Sequence, residues 1–271
     1  FVGSVIHSEN IIIIGFVIVL LFFVYILKAY REKHKSNDLL REQKAEISSK
    51  NALLKNANEE ILLAKHQLEE KNEEILDSIT YAKRIQTAIL PPDSLWKECL
   101  PNSFVLYLPK DIVAGDFYWL EQIGKDVFFA AADCTGHGVP GAMVSVVCHN
   151  ALNRAVLEFG LSKPSEILDK VTDLVIETFE RSDHEVKDGM DISLCKLNLS
   201  NHQLEYAGAH NPLWIVRKNG VEEEHLKLTY QEDNLSILEC KADKQPIGKF
   251  AYRQPFNNFD FKLQKGDKIY L

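Results

Sequence analysis

The chain has 271 residues, 46% hydrophobic and 26% charged, an ordinary globular composition with room for one sizeable domain plus attachments. A formal net charge of −8 and a pI near 5.6 argue against a general nucleic-acid binder. Five scattered cysteines (Cys99, Cys134, Cys148, Cys195, Cys240) form no C-x-x-C pair, which fits reduced thiols in a cytoplasm better than a disulfide framework or a zinc site.

Residues 11–27, IIIIGFVIVLLFFVYIL, run without a charge or amide. At ~1.5 Å per residue they reach about 25 Å, near the lower limit for a spanning helix. An apolar face on every side reads as a membrane span rather than a core helix. A secretory signal would carry its basic residues ahead of the apolar run, whereas Lys28, Arg31, Lys33 and Lys35 follow it. The positive-inside bias makes 1–10 an extracytoplasmic stub, 11–28 a transmembrane helix and everything beyond cytoplasmic. Phe1 at the start and KGDKIYL at the end read as the cut ends of a fragment.

From about residue 36 to 90 there is no Pro and no Gly, and apolar residues recur every seven: Leu40, Ile47, Leu54, Ile61, Leu68, Ile75, Ala82, Ile89. That register predicts a coiled coil within 29–90, with Lys44, Asn51, Asn58, Lys65, Asn72, Ile79 and Gln86 at the partner positions. Asn there weakens the seam but favours a parallel dimer in fixed register. The plainer reading is a solvated charged helix with accidental spacing. A marginal seam between a span and a domain suits a signal-transmitting linker, which Pro91-Pro92 ends.

Beyond residue 100 the pattern turns to short strands: 104–109, 115–122 and 126–133. Helices are predicted over 140–159 and 164–181, opened by Pro140 and Pro164. Strands return at 191–199, 202–209, 213–218, 221–228 and 259–264, with turns at Lys218-Asn219-Gly220 and Lys265-Gly266-Asp267. This order is not alternating βαβ and predicts an α+β class, antiparallel sheets with helices packed on them. It also disposes of Gly136, Gly138 and Gly141 as a dinucleotide loop. That fingerprint needs strand, loop, helix and strand with an acid about 20 residues on, whereas the first helix here leads to a second and Glu158 lies within the helical pattern.

A hairpin turning at Gly124-Lys125 sets Asp116 directly opposite Asp133, with Cβ atoms about 4.5–5.5 Å apart. Two like charges at that distance, beside Phe117, Tyr118, Phe129 and Ala131, shift towards the neutral form unless a hard cation such as Mg²⁺ or Mn²⁺ lies between them. The competing reading is two solvated aspartates at strand ends, Asp133 merely opening a turn. Gly136 and Gly138 would give backbone and phosphate close approach, and the following helix N-terminus favours an anion.

These residues carry a resemblance. PKDIVAGDFYWL, AADCTGHGVPGAM, DGMDISLCKLN, LEYAGAHNPLWIV, KADKQPIGK and the approach helix EILDSITYAKRIQTAILPP resemble the SpoIIE/RsbU-like branch of the metal-dependent (phosphatase 2C-type) protein serine/threonine phosphatases. The resemblance spans about residues 73–271, within a phosphatase domain drawn at 91–271, and rests on the motifs occurring together in order. It implies a β-sandwich flanked by helices with two Mn²⁺ or Mg²⁺ ions at one end. Asp116 and Asp133 are the implied metal-binding and catalytic aspartates, Asp133 bridging both ions, and Cys134 contributes its backbone carbonyl. The implied reaction is hydrolysis of phosphoserine or phosphothreonine, water attacking phosphorus in line while the ions stabilise charge. The implied substrate is a small phosphorylated protein of the anti-sigma-factor-antagonist type in bacterial partner switching.

His137 reads as a general acid or as a structural turn residue, the second being favoured because related loops lack histidine. His210 reads as a turn residue. Asp188 and Asp191 read as outer groups of the site or as strand-end residues, and Lys110 and Arg154 as weak candidates for phosphate contact. Further metal aspartates of the family, in S-D-G and D-D-x-T-type motifs, are absent. The fragment is therefore expected to bind metal poorly and be inactive, and the intact gene to continue into an S-D-G-like sequence.

The combined expectation is a phosphatase at the cytoplasmic membrane, dimeric through its coiled coil and without a nucleic-acid partner. The alternative is a catalytically inactive pseudophosphatase serving as a membrane signalling scaffold. A membrane histidine kinase fits poorly, since no histidine lies in 70–90 and no nucleotide-binding glycine boxes follow.

Overall fold

The computed structural model describes residues 2–180 and 188–271. Phe1 of the expected stub lies outside the described residues. The chain divides into two compact units, Phe1–Glu74 and Ile75–Leu271.

Helix α1 spans Val2–Ile89 without a break, as expected of a stretch with no helix breaker between residues 36 and 90. Within the first unit every described side chain, from Ile14 to Glu74, is exposed. From Ile14 the helix is long and apolar enough to cross a membrane, and none of that apolar stretch is buried within the chain. Pro91-Pro92 then stops the helix, and Pro92 caps the short α2 (Asp93–Cys99).

The second unit is α+β, as its element order predicts. One sheet runs in the order β1-β2-β3-β4-β8, the other β6-β7-β5-β9, and all ladders within them are antiparallel. The strands of the first are β1 (Phe117–Ile123), β2 (Asp126–Cys134), β3 (Met190–Asn198), β4 (Gln203–Ala209) and β8 (Phe259–Lys262). Those of the second are β5 (Leu213–Lys218), β6 (Lys227–Glu232), β7 (Leu235–Cys240) and β9 (Lys268–Tyr270). Helices α3 (Gly138–Asn153) and α4 (Pro164–Glu180) intervene between β2 and β3, α3 ending in a π-helical turn at Arg154–Glu158.

The five-stranded sheet is buried on both faces. Phe128, Ala130, Ala132 and Cys134 of β2 pack with α3 and α4 in one core. The alternate residues Val127 and Phe129 join Leu213, Ile215 and Leu238 of the other sheet in a second core. The period-2 alternation of side chains thus sorts β2 between a helix layer and a sheet layer.

Three expectations need correction. Residues 104–109 form no strand: Phe104, Leu106 and Leu108 alternate outward and exposed, without a ladder partner. Only Tyr107 turns inward, its ring edge-on to Tyr118 and its hydroxyl donating to the Asp116 carbonyl at 3.1 Å. The expected strand 221–228 is displaced to Lys227–Glu232, because the chain first makes a small loop closed by Glu223 and Leu226. The turn at 218–220 exists, with Asn219 at φ 52°, but β5 pairs with β7, a strand the sequence reading missed; the true hairpin turns at Asp233 (φ 50°).

Candidate metal and phosphate site

The β1–β2 hairpin turns at Gly124, whose φ of 62° is the left-handed value expected at the first central position of a tight turn. Its ladder runs from Ile123↔Asp126 to Phe117↔Ala132. One step further along that register, Asp116 faces Asp133, as the sequence predicts. β3 adds a third carboxylate, since Asp191 pairs directly with Asp133. All three lie on the face that carries Val127, Phe129 and Cys195, at the end of the core between the two sheets.

Asp116 and Asp133 are exposed and Asp191 is half-buried. The carboxyl group of Asp116 lies within hydrogen-bonding reach of that of Asp133. Partial burial, that hydrogen bond and the Asp133 charge push the Asp116 pKa up. Burial likewise raises Asp191, against the lowering effect of His210, whose Nδ1 lies 3.2–3.3 Å from its carboxylate oxygens. Among the described residues no three His, Cys, Asp or Glu side chains converge on one point.

Glycines set the backbone of this end. A Cβ on Gly115 would meet the carbonyl oxygens of Gly136 and Cys134 at 2.6 and 3.0 Å. The loop that delivers Asp116 is thereby packed directly against the carbonyl of Cys134, the one the resemblance implies as a ligand. Gly141 is equally tight, its would-be Cβ 2.5 Å from the Gly136 oxygen. Gly136 and Gly138 take φ of 87° and 62°. The Cys134 thiol points away from the carboxylates into the helix-side core, hydrogen-bonded to Cys148, and that contact and burial raise its pKa far above the usual range.

His137 precedes α3 and is held by Asp111 at 2.9 Å. Asp111 went unread in the sequence because its partner lies 26 residues away. Lys110 is exposed beside it. Arg154 sits at the far end of α3, about 24 Å along the axis from Gly138, and pairs with Glu158 at 3.1 Å, so it takes no part here. The carbonyl of Asp188 lies beside Gly248.

Beside Asp133 and Asp191 opens a recess of about 340 Å³. Its walls are tied together through Gly189. Thr135 N–H donates to the Gly189 carbonyl at 2.9 Å, and Met190 exchanges backbone hydrogen bonds of 3.0 and 2.9 Å with Ile247.

Residues 123–271 match the family model described as Stage II sporulation protein E (SpoIIE). The SiaA-PP2C domain of Pseudomonas aeruginosa is similar in structure, with a TM-score of 0.60 and 27% identity over 73% of this chain and 71% of that one. The PP2C phosphatase domain with a regulatory fragment of SpoIIE from Bacillus subtilis aligns at 0.41 and 18%, over 57% of this chain and 39% of that one. The RsbU and RsbW domains of Rv1364c from Mycobacterium tuberculosis align at 0.42 and 19%, over 59% and 38%. No curated protein matches the chain.

Proposed function

The chain belongs to the SpoIIE family, and from that premise we propose that it is a membrane-anchored, metal-dependent protein serine/threonine phosphatase. Its domain is homologous to PP2C-type phosphatases. The observation that carries the reading is the strand register, which brings Asp116 and Asp133 side by side at the end of the sandwich. Two adjacent carboxylates are a hard, oxygen-only donor set that fits Mn²⁺ or Mg²⁺. Asp116 and Asp133 would hold two such ions, with the Cys134 carbonyl. When bound, the ions supply an activated water and charge stabilisation at phosphorus. Gly136 and Gly138 leave backbone open beside Asp133, and the N-terminus of α3 favours the phosphate there.

The proposed substrate is a phosphorylated regulatory protein of the anti-sigma-factor-antagonist type. The proposed organisation is a stub at 1–10, a span at 11–28, a dimeric coiled coil within 29–90 and the phosphatase domain at 91–271, in the cytoplasm. Control through the coiled coil is supported by Gln86 near the end of α1. Its buried amide donates to the Ala114 carbonyl at 2.6 Å and to Ser145 Oγ at 3.0 Å, and accepts from Ala114 N–H at 3.1 Å. Ala114 lies two residues before Asp116, and Ser145 lies on α3.

A catalytically inactive scaffold is the second reading, favoured by the lack of a three-ligand cluster among the described residues. Phosphate release by the intact protein from p-nitrophenyl phosphate and a phosphoserine peptide, with and without Mn²⁺, separates the two. Asp133→Asn is expected to lower Mn²⁺-dependent release more than about 100-fold, beyond the loss typical of outer-shell changes. Full activity in that variant would remove the metal assignment, and a wild type that binds Mn²⁺ but releases no phosphate would be the scaffold.

A further inference from the structure

We propose that the recess beside Asp133 receives the peptide flanking the phosphorylated residue, and that Lys249 selects substrates with an acidic residue in that flank. The proposal rests on the phosphatase reading. The recess adjoins Asp133 and Asp191 directly, and Lys249 lines it too. Its volume of about 340 Å³ lies at the small end of ligand pockets, ~300–1,000 Å³, and suits a few side chains rather than a cofactor.

The walls are preorganised. Gly189 holds Thr135 on one side, and a Cβ on it would lie 1.9 Å from the Ile247 carbonyl on the other, so the two walls meet at a glycine that admits no side chain. Gly248 takes φ 139°, a conformation L side chains rarely adopt, immediately before Lys249. Met190 and Ile247 are buried and make the lining partly apolar.

The charge of this wall differs from that of the chain. Residues 241–249 carry three lysines, Lys241, Lys244 and Lys249, against one acid, Asp243, in a chain of net charge −8. All three lysines are exposed, and of them Lys249 alone lines the recess, together with Asp133 and Asp191. Lys249 stands 3.7 Å from Glu180, a loose ion pair between exposed groups. A carboxylate entering on the Lys249 side of the recess can share that ammonium with Glu180, whereas a basic flank there meets like charge; Asp133, which lines the recess with Asp191, is a residue proposed to hold the metal. Electrostatic matching of this kind sets specificity more than raw affinity.

The test uses the intact protein with three phosphoserine peptides whose flanks are acidic, neutral or basic. Hydrolysis is followed with Mn²⁺, and binding by fluorescence anisotropy. The wild type is expected to show a KM about tenfold lower for the acidic-flanked peptide than for the neutral one. Lys249→Ala should erase that ratio, Lys249→Arg should keep it, and Lys249→Glu should shift preference to the basic-flanked peptide, with kcat moving less than KM. Equal losses on all three peptides would place the Lys249 contact on the phosphate itself and overturn the proposal, as would an unchanged ratio. If no peptide is hydrolysed by the wild type, the phosphatase reading fails, while the anisotropy series still decides whether Lys249 reads the flank.

Discussion

His149 shows how a single side chain ties the end of α1 to the strand that leads from Asp116. It is buried on α3, its ring edge-on to Phe117 at 5.9 Å between centroids and hydrogen-bonded to the backbone of Ile89. Burial lowers its pKa below 6.5, outweighing the opposing effect of the Ile89 bond. The folded state therefore favours the neutral ring. Its contribution to stability is present above about 6.5, the unfolded value, and is lost as pH falls through the lowered folded value. Thermal melts between about pH 7.5 and 5 should show the midpoint falling over that window. His149→Gln should flatten the fall while lowering the midpoint at neutral pH. An identical slope in the variant would mean that another group controls it. The residue scale is also where sequence reading divides most sharply. Asp116 opposite Asp133 is legible because one glycine fixes a local hairpin. Asp191 beside Asp133 is not, because that neighbour depends on how β3 docks 58 residues away, after two helices. The pairing of His137 with Asp111 is hidden for the same reason.

At the scale of elements, the last turns of α1 belong to the phosphatase unit rather than to the linker. Gln86 occupies a heptad position yet is only 6% exposed, because its amide fills the notch between the Asp116 loop and α3. Gln86→Ala leaves the Ala114 amide and carbonyl without this partner, a cost of about 2 kcal/mol. For a unit of this size that is about 4–8 °C in the melting midpoint, measured by circular dichroism. Gln86→Glu should recover part of the loss, since its carboxylate still accepts from Ala114 N–H. A midpoint within 1 °C of wild type, roughly a quarter of the smallest expected shift, would show the contact to be incidental. The helices and most strands were readable from periodicity and turn residues. The failures share a cause: Phe104, Leu106 and Leu108 have strand-like alternation, but a ladder also needs a neighbour, and alternation does not reveal one. The β6–β7 hairpin was missed because its turn at Asp233 carries no glycine.

For the whole molecule, Phe1–Glu74 presents a physical problem that its fold does not solve. Every described side chain there is exposed, including Leu40, Ile47, Leu54, Ile61 and Leu68 of the seven-residue repeat. Helices in water draw most of their stability from packing an apolar face, and the described residues of this unit form no core on which to pack one. In the proposed organisation Ile14–Leu27 would face lipid and the repeat would face a second copy of itself. Asn51, Asn58 and Asn72 at the partner positions would keep that pairing weak but parallel and in register, which would place each Leu54 opposite its equivalent. All five native cysteines are buried in the second unit, so a thiol at residue 54 reports on the seam with little background. Leu54→Cys in membranes under mild oxidation should give a disulfide-linked dimer, and a second substitution, Ile61→Asp, should abolish it by burying like charges at the seam. No dimer in any activity state would exclude the coiled coil and leave 29–90 as a solvated single helix. A dimer whose yield changes with stimulus would identify the weak seam as the element with two states, coupled through Gln86 to the loop that carries Asp116.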